Sequence, residues 1–306
     1  MTLNDTEFET PIALLIFNRP DTTRLVFNAI RAVRPRRLLV VADGPRPGRA
    51  GEEERCREAR SVIDGVDWDC KVDTNYADAN LGCMRRVSSG LDWVFQQVDE
   101  AIILEDDCLP HPSFFPFCRE LLERYRHEPR IAQISGVNFQ FGHRKMSSSY
   151  YYSRYNHIWG WATWKRAWDL NDNEMSDWPA FRDKGGLDSI LPVKKEAAYW
   201  TDVLNKVHSG AIDTWDCRWT FSCWRQGLLT VIPAVNLVSN IGFGPGATHT
   251  PVPNKYASMK TEPVSFPLVP PSFLAPDSAA DAYTGKTHYR EYPMIQRLLA
   301  ALRQFF

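Results

Sequence analysis

Two kinds of hydrophobic pattern alternate along the first third of the chain. Continuous apolar runs of about four to six residues are typical of strands that are buried on both faces of a parallel sheet. Hydrophobic residues that recur every three or four positions instead predict helices with one buried face. The continuous runs predict strands over 12–17, 38–42, 70–74, 101–104 and 131–134.

Helices are predicted between these strands. The break at Asn18-Arg-Pro20 is followed by Asp21 or Thr22 as a helix cap, and the other predicted helices cover 52–60, 84–98 and 113–125. This alternation predicts an α/β fold with a doubly wound, mostly parallel sheet and helices on both faces. Ligands of such sheets bind outside the carboxyl ends of the strands.

The second half of the chain has a different composition. Aromatic residues crowd the region from about residue 150 to 224, and Pro and Gly are frequent from 242 to about 284. We see no internal repeat and no flexible linker. The sequence therefore predicts one domain over 1–250 and a Pro-rich extension over 251–306 that packs on it. The 11 Trp residues favour core packing over stacking on sugars when composition is considered alone.

Charge and cysteine content exclude some classes of protein. A net charge of −1 provides no broad basic surface, so nucleic acid is not expected as a partner. The seven irregularly spaced Cys residues favour reduced, buried thiols. The polar start of the chain does not resemble a secretory signal, so we expect a cytoplasmic protein. The apolar and basic segment 295–306 favours a docked terminal helix over peripheral contact with the inner face of a membrane.

Three consecutive acids follow the predicted strand 101–104. Glu105, Asp106 and Asp107, here called the acidic triplet, repel one another and would be unfavourable at a strand end without a cation. Their hard oxygen ligands suit Mg²⁺ or Mn²⁺. An acidic turn exposed to solvent is the alternative, but the strand before the triplet and the helix after it favour metal and nucleotide binding.

The triplet in its context, Leu104 followed by three acids and then Pro112-Ser-Phe-Phe115, resembles the GT-A glycosyltransferases. It is most similar to the N-acetylglucosaminyltransferase I type, which carries an EDD variant of the DxD motif. Further segments of this sequence that resemble the family are Phe17-Asn-Arg-Pro20, Asp43-Gly44, Asn80-Leu-Gly82 with Arg85 and Arg86, His157-Ile-Trp-Gly-Trp-Ala162 and Trp215-Asp-Cys-Arg-Trp219. The resemblance covers about residues 10–250, with a donor-binding half over about 10–110 and an acceptor and catalytic half over about 111–250.

The resemblance implies roles for individual residues on the donor side. Asp107 would bind the metal directly, Asp106 would face the ribose or the metal, and Glu105 the donor sugar. The residues that it implies around the nucleotide and diphosphate are Arg19, Asp43, Gly44, Arg85 and His249. Trp159, Gly160 and Trp161 would line the sugar and acceptor pocket, although the Trp spacing also suits a core cluster. For His249, a surface position on a Gly-rich loop is an equal alternative.

The proton transfer requires a further carboxylate. An inverting transfer needs a general base for the acceptor hydroxyl, and Asp216, between Trp215 and Trp219, is the first candidate, with Asp213 in reserve. A helix cap or a pair with Arg218 is the structural alternative for Asp216. This sequence also has Asp216-Cys217 where the family often has two adjacent acids.

The sequence therefore predicts a metal-dependent, inverting glycosyltransferase. The resemblance implies a nucleotide-sugar donor with UDP as the default base and GlcNAc as the first candidate sugar, and a glycan, lipid-linked or protein acceptor, as in polysaccharide biosynthesis. A metal-dependent phosphohydrolase or nucleotidyltransferase is one alternative, but the sequence contains no Gly-rich P-loop. A non-catalytic carbohydrate-binding protein is another, and it would leave the acidic triplet unexplained.

Overall fold

The structure is a computed structural model that describes residues 8–243 and 255–291. Its centre is an eight-stranded sheet. In chain order the strands are β1 (Ile12–Ile16), β2 (Arg37–Ala42), β3 (Lys71–Tyr76), β4 (Glu100–Glu105), β5 (Cys108–Pro110), β6 (Ile131–Ser135), β7 (Tyr150–Ser153), β8 (Trp161–Trp164), β9 (Leu229–Pro233) and β10 (Val238–Asn240). The sheet has the order β3-β2-β1-β4-β8-β6-β9-β7, and β5 and β10 form a separate two-stranded ribbon.

Helices connect and cover these strands. They are α1 (Pro20–Val33), α2 (Glu52–Ser61), α3 (Cys83–Gln97), α4 (Phe114–Tyr125), α5 (Lys165–Trp168), α6 (Trp178–Asp183), α7 (Gly186–Ile190), α8 (Lys194–His208), α9 (Asp216–Arg225) and α10 (Ser278–Thr284). A 3₁₀ turn at Val62–Gly65 follows α2, and a π-helix at Gly285–Glu291 follows α10.

The half of the sheet nearest the N-terminus is parallel. β1 pairs with β2 and β4, and β2 pairs with β3, all in the same direction. Every residue of β1 is buried because helices cover both faces. α1 and α4 pack on one face, and α3, α5 and α9 pack on the other. The predicted α/β, Rossmann-like sheet with helices on both faces is therefore confirmed.

The other half of the sheet is mixed. β8 runs antiparallel to both of its neighbours, β4 and β6. β9 is parallel to β6, and β7 closes the sheet as an antiparallel neighbour of β9. These directions determine which strand ends share the edge of the sheet where a ligand is expected. β6 and β9 end at the same edge as β1 and β4, and β7 begins there.

Most of the large aromatic residues lie in the core. Trp161, Trp164, Trp178 and Trp219 are fully buried. A third hydrophobic cluster, separate from the two faces of the sheet, packs Trp178 and Trp200 against Phe221 and Trp224 between α6, α8 and α9. The core interpretation of the Trp content accounts for these residues.

The segment 255–291 lies along the body of the protein. The Val264 amide donates to Ser113 Oγ at 3.2 Å, and the Asp277 amide donates to the Tyr152 carbonyl at 2.8 Å. Asp277 also caps α10 by accepting the Ala280 amide at 3.0 Å. In the described ranges we find no helix with the length and apolar character needed to cross a membrane.

Candidate active site

The predicted polar positions meet at one edge of the sheet. Glu105 is the last residue of β4 and pairs with Leu15 of β1, while Ile16 of β1 pairs with Ala42 of β2. The three strands therefore end side by side. Arg19 and Asp43 follow these ends within three residues and join the acidic triplet, as the carboxyl-edge rule predicts.

Arg19 holds two acids of the triplet at once. Its Nη2 lies 2.5 Å from Asp106 Oδ1, and its Nη1 lies 2.8 Å from Asp107 Oδ2. Arg19 reaches them because the chain turns sharply between β1 and Pro20, the first residue of α1. The planar guanidinium suits such a fork. One guanidinium thus pairs with two of the three carboxyl groups of the triplet.

Asp106 and Asp107 differ in accessibility. The Asp106 side chain is only 3% exposed and also accepts the Phe17 amide at 3.0 Å. Burial raises the pKa of Asp106, and the Arg19 charge opposes that rise. Asp107 is 14% exposed. Asp106 therefore fixes the turn after β1, and Asp107 is the more available of the two acids to a ligand.

Glu105 lies on the opposite face of the sheet from the Arg19 fork. Side chains alternate along a strand, so Glu105 shares the face of Ile103, which α3 and α9 cover. Burial raises the pKa of Glu105, and the neighbouring Asp107 and Asp106 carboxylates raise it further. A smaller contribution comes from Asp216. The structure thus brings the triplet and the predicted base region together.

Asp43 fixes a loop beside the triplet. Its Oδ1 accepts the amides of Gly44 at 2.8 Å and Leu81 at 2.9 Å, and its Oδ2 accepts Asn80 Nδ2 at 2.8 Å. Burial raises the pKa of Asp43 and these hydrogen bonds oppose the rise. A Cβ on Gly44 would lie 2.5 Å from the Ala79 backbone, so only glycine permits this approach.

Arg85 and Arg86 have different surroundings. Arg85 is exposed. Arg86 is buried, and its guanidinium donates to the carbonyls of Ala42 and Asn75, tying α3 to the ends of β2 and β3. The role of Arg85 at the nucleotide stays a prediction. The buried arginine of this pair supports the edge of the sheet instead.

Asp213 lies in the loop before α9, and Asp216 is the first residue of that helix. Asp216 is half-buried at the first turn, where its Oδ1 accepts the Cys217 amide at 2.9 Å and the Thr214 hydroxyl. Asp213 is exposed, and its Oδ2 lies 2.9 Å from where a Cβ on Gly82 would stand. The predicted alternative pair with Arg218 does not form, since Arg218 donates to the carbonyls at 173 and 207.

The acids at this edge affect the pKa of the Cys83 thiol. Burial raises its pKa to about 12, and Glu105, Asp216 and Asp213 add to the rise, in that order. Cys83 is the first residue of α3. Asp213 lies beside Gly82, directly before α3, and the charges of Glu105 and Asp216 act on the same end of the helix, although a role in catalysis for either base stays a prediction.

The predicted sugar-pocket residues divide into two groups. Trp161 is fully buried and stacks on Trp215 with ring centroids 5.7 Å apart. Gly160 is also buried, has φ +60°, and would place a Cβ 2.8 Å from Val238. Trp159 is half-buried and packs against Phe139. Of the three predicted residues, Trp159 is the one with exposed surface to offer a ligand.

Two features of the site have no obvious signal in the sequence. Glu52, in a charged run that predicts an exposed helix, is fully buried, where it accepts the Arg46 amide at 2.7 Å and Asn18 Nδ2 at 2.9 Å. The contact with Arg46 lowers the pKa of Glu52 to about 2. Gly242 passes directly over the pair of Arg19 and Asp107, with no room for a Cβ. His249 lies outside the described residues.

The chemistry of the donor atoms fits a hard divalent cation. The triplet offers carboxylate oxygens, and a single guanidinium leaves it with excess negative charge. Arg19 uses Oδ2 of Asp107, whereas Oδ1 faces Cys108 Sγ at 3.5 Å. Over residues 8–243 and 255–291, no three His, Cys, Asp or Glu side chains are already arranged to hold a metal ion. Asp107, the more accessible aspartate of the triplet, is the residue that would hold one.

The similarity of this chain to known proteins is found among solved structures. No protein-family profile and no curated protein sequence matches the chain. Similar solved structures include the mannosyltransferase PcManGT from Pyrobaculum calidifontis in complex with GDP-Man and Mn²⁺, at 13% identity over 51% of this chain and 45% of that one, with a TM-score of 0.33.

Two other similar solved structures are a synthase and a pyrophosphorylase. The 4-diphosphocytidyl-2C-methyl-D-erythritol synthase from Anaerococcus prevotii is 8% identical over 53% of this chain and 74% of that one, with a TM-score of 0.32. A UDP-glucose pyrophosphorylase complexed with UDP-glucose is 11% identical over 47% of this chain and 62% of that one, with a TM-score of 0.25. The chain spans less than half of the mannosyltransferase.

Proposed function

We propose that this protein is a metal-dependent glycosyltransferase that moves a sugar from a nucleotide-sugar to a glycan, lipid-linked or protein acceptor. One observation carries the proposal. The acidic triplet, Arg19 and Asp43 meet at the carboxyl edge of the sheet. Asp213, from a separate part of the chain, lies beside Gly82 in the loop that Asp43 holds, and Asp216 is three residues further on. The resemblance to the N-acetylglucosaminyltransferase I type rests on the sequence motifs.

The charges at the carboxyl edge of the sheet support a binding site for the nucleotide-sugar donor. A divalent Mn²⁺ or Mg²⁺ held by Asp107 would neutralise a diphosphate and favour its departure. Arg19 is placed to exchange a carboxylate for a phosphate oxygen, because both accept the same fork of donors. Asp43 holds the loop at 80–82 against the end of β2 and so shapes the side where the nucleotide would lie.

The position of Asp216 supports a role as the base that acts on the acceptor hydroxyl. Its Oδ1 is oriented by the Cys217 amide and the Thr214 hydroxyl, which fixes the carboxylate at the start of α9. A carboxylate fixed beside the donor can remove the proton of an acceptor hydroxyl as that oxygen attacks the anomeric carbon. Attack from the side opposite the leaving diphosphate would invert the anomeric configuration. Asp213 is the second candidate for this base.

Binding of the donor can be tested by thermal shift. The protein is screened against UDP- and GDP-sugars with Mn²⁺ or with EDTA. A donor at a hundred times its dissociation constant should add about 2.7 kcal/mol of stability. Asp107→Asn should remove the Mn²⁺-dependent part of the shift, and Asp64→Asn, at an exposed acid, should retain it.

The products distinguish the competing reactions. Incubation of a bound donor with candidate acceptors should release a nucleoside diphosphate together with a glycosylated acceptor. Release of inorganic phosphate or pyrophosphate without transfer of the sugar would indicate a phosphohydrolase or nucleotidyltransferase. Absence of metal-dependent binding for every nucleotide-sugar would reject the proposal.

A further inference from the structure

A groove of about 420 Å³ lies beside β7, away from the acidic triplet. One wall is the segment 144–148, which precedes β7, and the other is the segment 271–277. Tyr151 and Tyr152 of β7 lie at its base. This volume falls in the range of small-ligand sites, roughly 300–1,000 Å³.

The walls of the groove are fixed to each other and to β7. Arg144 forms an ion pair with Asp277 at 2.6 Å. The Asp277 amide donates to the Tyr152 carbonyl at 2.8 Å, and the Ser149 amide donates to the Val269 carbonyl at 2.8 Å. A ligand would therefore enter a preformed site and would not have to order these segments.

The lining combines an aromatic ring with hydrogen-bonding groups. Phe273 is 81% exposed and stands at the rim of the groove. A single exposed apolar residue is ordinary on a protein surface. Here the lining of the groove also includes Ser147, Ser272 and Lys145, which carry hydroxyl and amine groups. Stacking on the C–H face of a sugar, with donors and acceptors around its rim, requires this combination.

The distance between the groove and the candidate donor site suits an extended acceptor. β7 begins at the edge where β4 ends, and four strand spacings separate the two strands in the order of the sheet. At about 4.8 Å per spacing, the separation across the sheet is about 19 Å. An extended acceptor could occupy the groove while its reacting end lies near Asp216.

We propose that this groove binds the saccharide chain of the acceptor, with Phe273 stacking on a sugar ring and Lys145 contacting its polar groups. The proposal rests on the proposed function for the identity of the ligand as an acceptor. The groove itself requires only that a saccharide binds there. Nucleotide is not needed for this binding.

The test measures saccharide binding without nucleotide. The full chain is screened on an array of neutral and acidic oligosaccharides, and the best-bound one is titrated in solution. Phe273→Ala should weaken binding about tenfold, and Phe273→Trp should retain it. Lys145→Ala should also weaken binding. Phe266→Ala is the matched control, since Phe266 is 41% exposed on the same segment but does not line the groove.

Each outcome decides the proposal. If no oligosaccharide binds the wild-type protein, or if Phe273→Ala binds as well as Phe266→Ala, the groove is not a saccharide site. Phe273-dependent binding to anionic lipid vesicles, with no saccharide binding, would show a membrane contact and would also overturn it.

The groove and the proposed function can fail separately. Asp107→Asn should keep the affinity for the oligosaccharide while losing the response to donor and Mn²⁺. If the wild-type protein binds the saccharide but no nucleotide-sugar, the groove is supported and the glycosyltransferase proposal is rejected.

Discussion

Replacing Arg19 by Met tests whether a single guanidinium holds the candidate active site together. The side chain of Arg19 is 24% exposed and bridges Asp106, which is 3% exposed, and Asp107. Removal of one partner from a buried ion pair typically costs about 3–5 kcal/mol, because the other charge stays buried without compensation. Partial exposure of Arg19 places the expected loss near the lower end, at about 3 kcal/mol.

Urea denaturation followed by Trp fluorescence measures this loss. Asp106→Asn and the double variant complete a double-mutant cycle. We expect the double variant to be more stable than Arg19→Met alone, because it no longer buries an uncompensated carboxylate. Arg31→Met is the matched control, since Arg31 and Asp67 form an exposed pair in which each side chain is about half exposed. That pair should contribute less than about 1 kcal/mol to the free energy of unfolding.

Two results would refute the reasoning. If Arg19→Met lowers the free energy of unfolding by no more than Arg31→Met does, the Arg19 fork does not stabilise this edge of the sheet. If Asp106→Asn fails to offset any of the loss caused by Arg19→Met, the cost does not come from an uncompensated charge on Asp106. The site would then owe its geometry to the backbone alone.

Three other changes probe the base, the backbone and a buried histidine. Asp216→Asn should lower kcat by about 10²- to 10⁴-fold while donor binding is retained, and a larger loss in Asp213→Asn would assign the base to Asp213. Gly160→Ala should cost about 2 kcal/mol or more in urea denaturation, because φ is +60° and the new Cβ would meet Val238; wild-type stability would contradict this. Burial lowers the pKa of His157 to about 3, so His157 is neutral when folded and protonates more readily when unfolded. Its stabilising contribution is complete above pH 6.5 and is lost as the pH falls toward 3. Between pH 7 and pH 5 the loss is about 2 kcal/mol, and His157→Phe should show a correspondingly smaller loss over this interval.

The parallel half of the fold was predictable because its strands are continuous apolar runs. β1 and β4 occur within one residue of the predicted bounds at 12–17 and 101–104, since only strands covered on both faces carry such runs. β7 and β8 were not predicted. Each has only four residues, and the Tyr- and Trp-rich composition of this region is equally compatible with loops and core helices.

The site was predictable where strand ends determine it. The alternation of elements predicts that Arg19 and Asp106 lie at the same carboxyl edge of a parallel sheet, and the pairing of β1 with β4 in the structure makes them neighbours there. The helical phase of α3 would also have distinguished Arg86 from Arg85, since Arg86 shares a face with buried Gly90 and Val94. The burial of Glu52 depends on Arg46 and Asn18 folding around it, and no periodic pattern encodes that contact.

The partner of β7 has a consequence for biosynthesis. Tyr152 pairs through a backbone bridge with Pro276, more than a hundred residues later in the chain. At roughly 5–20 residues per second, the ribosome needs several seconds to tens of seconds to make the intervening segment. During that time one side of β7 presents unpaired backbone groups, which can recruit strands from other chains. A nascent chain halted before residue 269 would therefore contain the complete acidic triplet and an uncovered sheet edge, and it should aggregate more readily than the full chain.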